Sequence, residues 1–159
     1  MSYSVSEISR YIIMYSNKRG LKCSNLKLQT LLYFVQAYFL LEKNDICFDE
    51  KIEAWNIGPV VPEAYNGFKR FGSNDIPYTG YFVTAVSGFS WNKEKYNDNI
   101  IKSDDKRLID DVVDHFSDYS ACSLMRLAKS QKPWIEAHRN TSEITCYALK
   151  KFFCNTKTR

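Results

Sequence analysis

Residues 53–65 decide the fold, and they run Glu53-Ala54-Trp55-Asn56-Ile57-Gly58-Pro59-Val60-Val61-Pro62-Glu63-Ala64-Tyr65. Pro59 fixes its own φ and keeps the residue before it out of the helical region, so the backbone must turn at Gly58. Pro62 has no backbone N–H to lose in the first turn of a helix. The segment therefore predicts a strand that ends at Trp55, then a rigid corner, and then a helix over residues 59–71.

Composition places the chain among globular proteins. It has 159 residues, of which 45% are hydrophobic and 15% aromatic, enough for one domain with a sizeable core. The formal net charge of +4 is only mildly basic, whereas a dedicated nucleic-acid-binding domain usually carries a concentrated basic patch. No apolar run is long enough to span a membrane, and the N-terminus lacks the pattern of a secretory signal. We therefore expect a cytoplasmic protein of one domain, residues 1–159, without a membrane or nucleic-acid partner and with an undetermined oligomeric state.

The cysteines argue against a metal site and against catalysis. Five cysteines are spread along the chain without a C-x-x-C pair, and only two histidines accompany them. Structural zinc normally uses a close-spaced pair, so reduced thiols are the simpler interpretation. A nucleophilic couple of Cys122 with His115 or His138 is the alternative, but nothing beside it suggests an oxyanion hole or an orienting carboxylate. We predict no catalytic residue, no metal and no cofactor.

Helical periodicity dominates the rest of the chain. Ser4-Val5-Ser6-Glu7 is a capping box that begins a first helix, which should end near Gly20. A second helix, from Ser24 or Asn25 to about Lys43, is apolar on most sides, which is typical of a buried central helix. The predicted class is mainly α with a small antiparallel β element, arranged as a compact bundle of five to six helices around this central apolar helix. Further helices are predicted over 103–116, from 120, from 133 and over 140–153, and the tail 155–159 should fray.

Residues 73–102 do not fit the helical pattern. They contain a strand-like run from Tyr81 to Val86, bounded by glycine and asparagine turn signals. A connection of about thirty residues is too long to be a simple linker in a compact domain. We predict that it forms a variable insertion or a small-sheet lobe.

Three groups of polar residues have a structural and a functional interpretation. The amides of Gln29 and Gln36, on one stripe of the second helix with Tyr33, either satisfy backbone groups in the core, which we favour, or line a groove for a partner. Aspartates between positions 104 and 114 are expected on a solvated helix face. A basic grouping could contact phosphate or an acidic partner, and it comprises Arg126, Lys129, Lys132, His138 and Arg139.

Three segments together give a recognisable order. They are Asn25-Leu26-Lys27-Leu28-Gln29-Thr30-Leu31-Leu32-Tyr33-Phe34-Val35-Gln36, the corner at residues 52–65, and Pro133-Trp134-Ile135-Glu136-Ala137. In this order they resemble the Panacea-domain family of SocA-like and GepA-like, phage-associated antitoxins, over roughly Val5 to Phe153. Two positions depart from the family pattern, since Thr30 replaces a lysine and Lys132 replaces an acidic residue.

The resemblance implies a mostly helical antitoxin that neutralises a cognate toxin by direct binding. In at least one branch of the family the antitoxin is an adaptor that hands the toxin to an unfoldase-protease. Many members carry an added DNA-binding segment, which we do not expect in this chain. The alternatives are a phage-encoded inhibitor of a host defence protein and, from other classes, a small hydrolase or transferase or a nucleic-acid-binding protein.

Candidate partner-binding residues come from the polar stripe, the corner and the aromatic side chains, because aromatic residues dominate binding hot spots. Trp55 is nevertheless interpreted as a core residue, since it follows an alternating apolar pattern into the turn. The full set is Gln29, Tyr33, Gln36, Trp55, Pro59, Val60, Val61, Pro62, Tyr65, Tyr81, Phe82, Trp91 and Trp134.

Overall fold

The computed structural model describes residues 2–87, 90–140 and 142–157. Its elements, in chain order, are α1 Val5–Lys18, α2 Asn25–Lys43, β1 Ile52–Trp55, β2 Gly58–Val60, α3 Pro62–Phe68, a 3₁₀ turn Lys69–Phe71, β3 Tyr81–Ser87, β4 Ser90–Lys95, α4 Ser103–His115, α5 Ala121–Lys129, α6 Lys132–Asn140, β5 Glu143–Ile144 and α7 Cys146–Lys157. The mainly α class with a minor antiparallel β component is confirmed. Within these ranges there are seven α-helices, one for each helix predicted along the chain, although the bundle itself was expected to contain five to six.

The first two helices begin where the sequence predicts. The Ser4 hydroxyl accepts a hydrogen bond from the backbone N–H of Glu7 at 3.2 Å, which satisfies one donor at the start of α1. Ser24 caps α2 in the same way, and α2 ends at Asn44, whose φ of 53° is left-handed. Helix α2 is the central helix, since most of its side chains are buried and α4, α5 and α7 pack against it.

The corner contains a strand where the sequence predicts a helix. Residues 58–60 form β2, which pairs with β1 in the register Glu53↔Val60 and Trp55↔Gly58, and α3 begins only at Pro62. The chain reverses through the two-residue turn at Asn56 and Ile57 because Gly58 adopts a φ of +125°. The prediction that a helix starts at Pro59 is therefore wrong, and the helix start belongs to the second proline.

Pro59 fits this strand because its position needs no N–H. It stands opposite Ala54, whose own N–H donates to the Ser142 carbonyl on the β5 side at 2.7 Å. The backbone groups of Ala54 therefore point away from β2, and the pair makes no hydrogen bond across that ladder. The strand order β2-β1-β5 also places Pro59 on an edge strand, where proline is tolerated.

Helices α1 and α4 are joined by tyrosine–aspartate hydrogen bonds. Tyr11 donates to Asp110 at 2.7 Å and Tyr15 donates to Asp114 at 2.8 Å. Burial and the hydrogen bond to Asp114 raise the pKa of Tyr15 to about 12. The expectation of a solvated acidic face is therefore wrong for these aspartates, which serve as acceptors at a helix–helix contact.

Residues 73–102 supply a two-stranded hairpin. Strands β3 and β4 pair antiparallel in the register Tyr81↔Lys95, Val83↔Lys93 and Ala85↔Trp91, which confirms the strand-like run but adds a second strand that the sequence did not predict. Residues 88 and 89 lie outside the described part of the chain.

The C-terminal region differs in detail from the prediction. Glu143–Ile144 pair with β1 as strand β5, so the last helix begins at Cys146 and not near residue 140. That helix continues to Lys157, through positions predicted to fray, while residues 158–159 are not described. Among the described helices, none combines the length and the apolar character needed to cross a membrane.

Candidate functional site

The polar stripe of α2 is part of the core. Gln36 is only 2% exposed, and its side-chain oxygen accepts from the N–H groups of Cys47 and Phe48 at 2.8 and 3.3 Å. Its amide nitrogen donates to the Phe48 carbonyl at 2.8 Å. Gln36 thus pairs the backbone of the loop that follows α2, which is the interpretation favoured from the sequence.

Gln29 likewise pairs backbone groups of the corner. Its side-chain oxygen accepts from the Val61 N–H at 2.9 Å, and its nitrogen donates to Asn25, which in turn donates to the Tyr65 carbonyl. Tyr33, between the two glutamines, donates its hydroxyl proton to Gln131 at 2.7 Å. Because all three stripe residues are buried, a partner cannot reach Gln29, Tyr33 or Gln36 in this conformation.

The apolar part of the corner is also inaccessible. Pro59, Val60 and Val61 are buried, and Pro62 is half-buried at the start of α3. A Cβ added at Gly58 would lie 3.0 Å from the Cγ of Met125 on α5, so the turn is in close contact with that helix. These candidate residues build the corner and offer little surface to a partner.

Trp55 and Tyr65 lie at the rim of the corner. Both are half-buried, and their rings meet edge to face with centroids 5.2 Å apart. The interpretation of Trp55 as a core residue is wrong, because β1 ends there and the exposed turn at Asn56 and Ile57 follows directly.

Trp134 and two members of the basic grouping hold this turn. Trp134 is half-buried and donates from its indole N–H to the Trp55 carbonyl at 3.0 Å, while the His138 ring stacks on it at 4.4 Å. Lys129 donates to the Asn56 carbonyl at 2.8 Å, and a His138 nitrogen lies 2.7 Å from the Asn56 side-chain oxygen. This part of the basic grouping is therefore engaged in a contact between α5, α6 and the turn.

The β3–β4 hairpin has one packed face. Phe82 is 5% exposed and its ring contacts those of Phe68 and Tyr96. On the same face Glu94, which stands opposite Phe82, forms an ion pair with Arg10 of α1 at 3.0 Å. Phe82, a candidate for partner binding, instead anchors the hairpin to the body of the protein.

The other face of the hairpin exposes three large apolar side chains. Tyr81, Val83 and Trp91 are 42%, 39% and 62% exposed. Side chains alternate between the two faces along a strand, so Tyr81 and Val83 share one face of β3. Trp91 stands opposite Ala85, two residues beyond Val83, and therefore lies on the same face. Scattered exposed apolar residues are ordinary, but three on one strand pair are typical of an interaction surface.

Two lysines complete this surface, which we call the outer hairpin face and define as Tyr81, Val83, Trp91, Lys93 and Lys95. Both lysines are exposed, and the Lys93 ammonium lies 4.5 Å from the centre of the Tyr81 ring. The one carboxylate on β3 or β4 in the described residues is that of Glu94, on the packed face. The outer hairpin face therefore combines aromatic rings with uncompensated positive charge.

Reactive chemistry is not assembled elsewhere in the described part of the chain. Cys23 and Cys47 are buried, and burial raises the pKa of the Cys23 thiol to about 12, which disfavours a nucleophilic thiolate. Cys122 is exposed. The described residues contain no group of three or more histidine, cysteine or acidic side chains placed to hold a metal ion.

Two surface clefts accompany the hairpin. One, of about 520 Å³, lies between α6 and α7 and includes the exposed Tyr147. The other, of about 570 Å³, lies between α2 and α4 and is lined by charges of both signs, including Glu42 and Arg107.

Sequence reasoning identified part of the outer hairpin face and missed the rest. Tyr81 and Trp91 were among the candidates, whereas Val83, Lys93 and Lys95 were not. Strand β4 is polar at most positions, so its composition does not suggest a strand. Residues 91–95 show no alternation of apolar and polar residues, so the sequence carried no periodic signal for this strand.

Comparison with known proteins gives the family. A family model for the "Antitoxin SocA-like, Panacea domain" matches residues 28–135. The protein named Antitoxin SocA from Caulobacter vibrioides (strain NA1000 / CB15N) is 45% identical over 53 residues, which are 33% of this chain and 28% of that protein. The match thus spans little more than a quarter of that relative. No solved structure matches the chain.

Proposed function

We propose that this chain, which belongs to the Antitoxin SocA-like, Panacea domain family, is an antitoxin that neutralises a cognate toxin by binding it directly. Family membership supports an antitoxin role and a non-enzymatic one. The matched residues 28–135 include most of the central helix α2, the corner and both strands of the hairpin. The identity of the toxin and the mode of neutralisation are part of the proposal.

The observation that carries direct binding is the outer hairpin face. Trp91 is the most exposed of its apolar side chains, and Tyr81 is the second ring on the same face. Tryptophan and tyrosine supply much of the binding energy at protein interfaces, because a large rigid ring buries area at low entropic cost. Since the packed face is held to α1 by the Arg10–Glu94 ion pair, the surface is pre-arranged for a partner.

The corner has a supporting part in this proposal. Its buried members and the two glutamines fix the backbone of residues 58–61 against α2, while Trp55, Tyr65 and Trp134 fill the space at its rim. These residues keep the bundle rigid and leave the aromatic side chains of the outer hairpin face accessible.

Co-expression with the product of the neighbouring reading frame tests the proposal. We expect that product to stop growth by itself, to be neutralised by this chain, and to co-purify with it. Trp91→Ala should weaken the complex by about 30-fold, the effect of losing a hot spot worth about 2 kcal/mol. Tyr147→Ala is the matched control, because Tyr147 is 76% exposed and lies at the α6–α7 cleft. A neighbouring product that is harmless alone and does not co-purify would refute the antitoxin function.

The toxin could be neutralised by occlusion or by delivery to an unfoldase-protease. The two mechanisms give different toxin half-lives. Occlusion leaves the toxin half-life unchanged when this chain is expressed, whereas an adaptor shortens it. Pulse-chase labelling of the toxin in cells with and without the protease distinguishes the two mechanisms, and either result leaves direct binding intact.

A further inference from the structure

We infer that the toxin segment bound by the outer hairpin face is acidic and apolar, with two carboxylates placed to meet Lys93 and Lys95. This inference rests on the proposed function and adds the chemistry of the partner. It is carried by the arrangement of charge on the face, by the fixed packing of the opposite face, and by the spacing of the aromatic rings.

The two lysines have no carboxylate to neutralise them in the described part of the chain. Lys93 approaches the Tyr81 ring, and neither lysine forms an ion pair with a described residue. A partner that covers Trp91 and Tyr81 also removes water from these ammonium groups. Removing that water is costly unless opposite charges replace it, so a neutral or basic partner would bind poorly here.

The strand geometry sets the spacing of the partner charges. Lys93 and Lys95 are two residues apart on β4, which is about 7 Å along a strand. An extended segment with acidic residues at positions i and i+2 has the same spacing, since its alternate side chains point to one side. Trp91 lies on the same side of β4, two residues before Lys93. It provides a contact for an apolar side chain of the partner next to its acidic pair.

A single-stranded nucleic acid is the other partner that rings and lysines can bind. On this face Trp91 stands opposite Ala85, four positions along β3 from Tyr81, which is about 13 Å. The aliphatic side chain of Val83 lies between those two positions. Successive bases need adjoining rings to stack on, and a polyanion favours a continuous basic groove. The aliphatic interruption and the two lysines favour a protein partner.

Charge reversal tests the inference on the intact chain. The double variant Lys93→Glu and Lys95→Glu should weaken binding of the purified neighbouring gene product at least ten-fold at about 50 mM salt. The effect should shrink at about 500 mM salt, where the screening length is about 4 Å. The control, Lys22→Glu with Lys151→Glu, changes the net charge equally at two exposed lysines that are not part of the outer hairpin face. It should leave affinity within about two-fold, and thermal unfolding of both double variants establishes that they fold.

A reciprocal substitution makes the test specific. Replacing an acidic pair of the toxin with lysines should restore binding to the charge-reversed hairpin. The inference is overturned if wild type binds the toxin but hairpin reversal has no larger effect than the control, and the antitoxin function survives that result. If the wild-type chain binds no toxin, both proposals fail. Salt-sensitive binding of a single-stranded oligouridylate that is lost on hairpin reversal would instead identify a nucleic-acid surface.

Discussion

Replacing Gly58 with alanine should destabilise the fold, because two independent features of the corner require glycine at this position. The residue has a φ of +125°, a conformation that side chains with a Cβ rarely adopt. A Cβ built there would also lie 3.0 Å from the Cγ of Met125. The substitution therefore tests whether the turn between β1 and β2 is held as rigidly as its contacts imply.

The expected loss is about 2–4 kcal/mol of unfolding free energy. A disfavoured backbone conformation contributes about 1–3 kcal/mol. The contact with Met125 adds about 1 kcal/mol, the lower end for overpacking, because a methionine side chain can shift. In a chain of this size each kcal/mol of unfolding free energy shifts Tm by about 2–4 °C, so the expected loss lowers Tm by on the order of 10 °C.

Gly67→Ala is the matched control. Gly67 lies inside α3, has no neighbouring heavy atom within 4 Å of a built Cβ, and is not in the left-handed region. The same added methyl group should therefore stabilise the protein by up to about 1 kcal/mol through helix propensity. In the Met125→Ala background, Gly58→Ala should cost only the backbone part of the loss, since the contact with the methionine side chain is absent from both proteins compared.

Urea unfolding followed by circular dichroism measures all of these variants. The urea concentration at the unfolding midpoint should be equal to or higher than that of wild type for Gly67→Ala. For Gly58→Ala it should be well below both. If Gly58→Ala matches wild type, or if Gly67→Ala is equally destabilising, the account of the corner is incorrect.

Three further predictions concern the core, the helix contacts and the thiols. Gln36→Leu should cost about 2–4 kcal/mol in urea unfolding, because buried backbone groups of the loop after α2 lose their partner. Burial and the hydrogen bond to Asp105 raise the pKa of Tyr3 from 10.0 to about 12, so its stabilising contribution is complete below pH 10 and is lost as pH rises through about 12. The Tm of Tyr3→Phe should therefore fall less than that of wild type between pH 10 and 12. An equal fall would contradict the raised pKa of Tyr3. Cys122 should react with maleimide in the native protein, whereas the buried Cys23 should react only after unfolding, as judged by peptide mass spectrometry.

The helical part of the fold could be predicted because its signals are local. The hydroxyl of Ser4 and the N–H of Glu7 are three residues apart, so the capping box that begins α1 is visible in the sequence and present in the structure. The nearly all-round apolar pattern of α2 likewise indicates a central position, which the packing of α4, α5 and α7 confirms.

The corner could not be fully predicted because it depends on distant partners. Strand β2 exists because Gly58 turns the chain and Gln29, about thirty residues earlier, pairs with the N–H of Val61. The proline pair alone is compatible with a helix beginning at either proline. The backbone N–H of Ala54 is hydrogen-bonded on the side of β5, a strand that comes from the other end of the chain.

The outer hairpin face was predicted only in part for a related reason. Tyr81 and Trp91 stand out as aromatic residues, but their common surface depends on the pairing of β3 with a polar strand. The same pairing turns Phe82 inward against Phe68, which composition cannot distinguish from an outward orientation. Burial of Gln29 and Gln36 then removes the polar stripe from the accessible surface.

Hydrogen–deuterium exchange of this chain with and without the proposed toxin tests the central claim most directly. We predict slower exchange in peptides covering residues 81–95 when the toxin is bound, with little change in peptides of the α6–α7 cleft. Protection confined to residues 132–155, or absent from the hairpin while the complex stays intact, would contradict the assignment of the outer hairpin face as the binding surface.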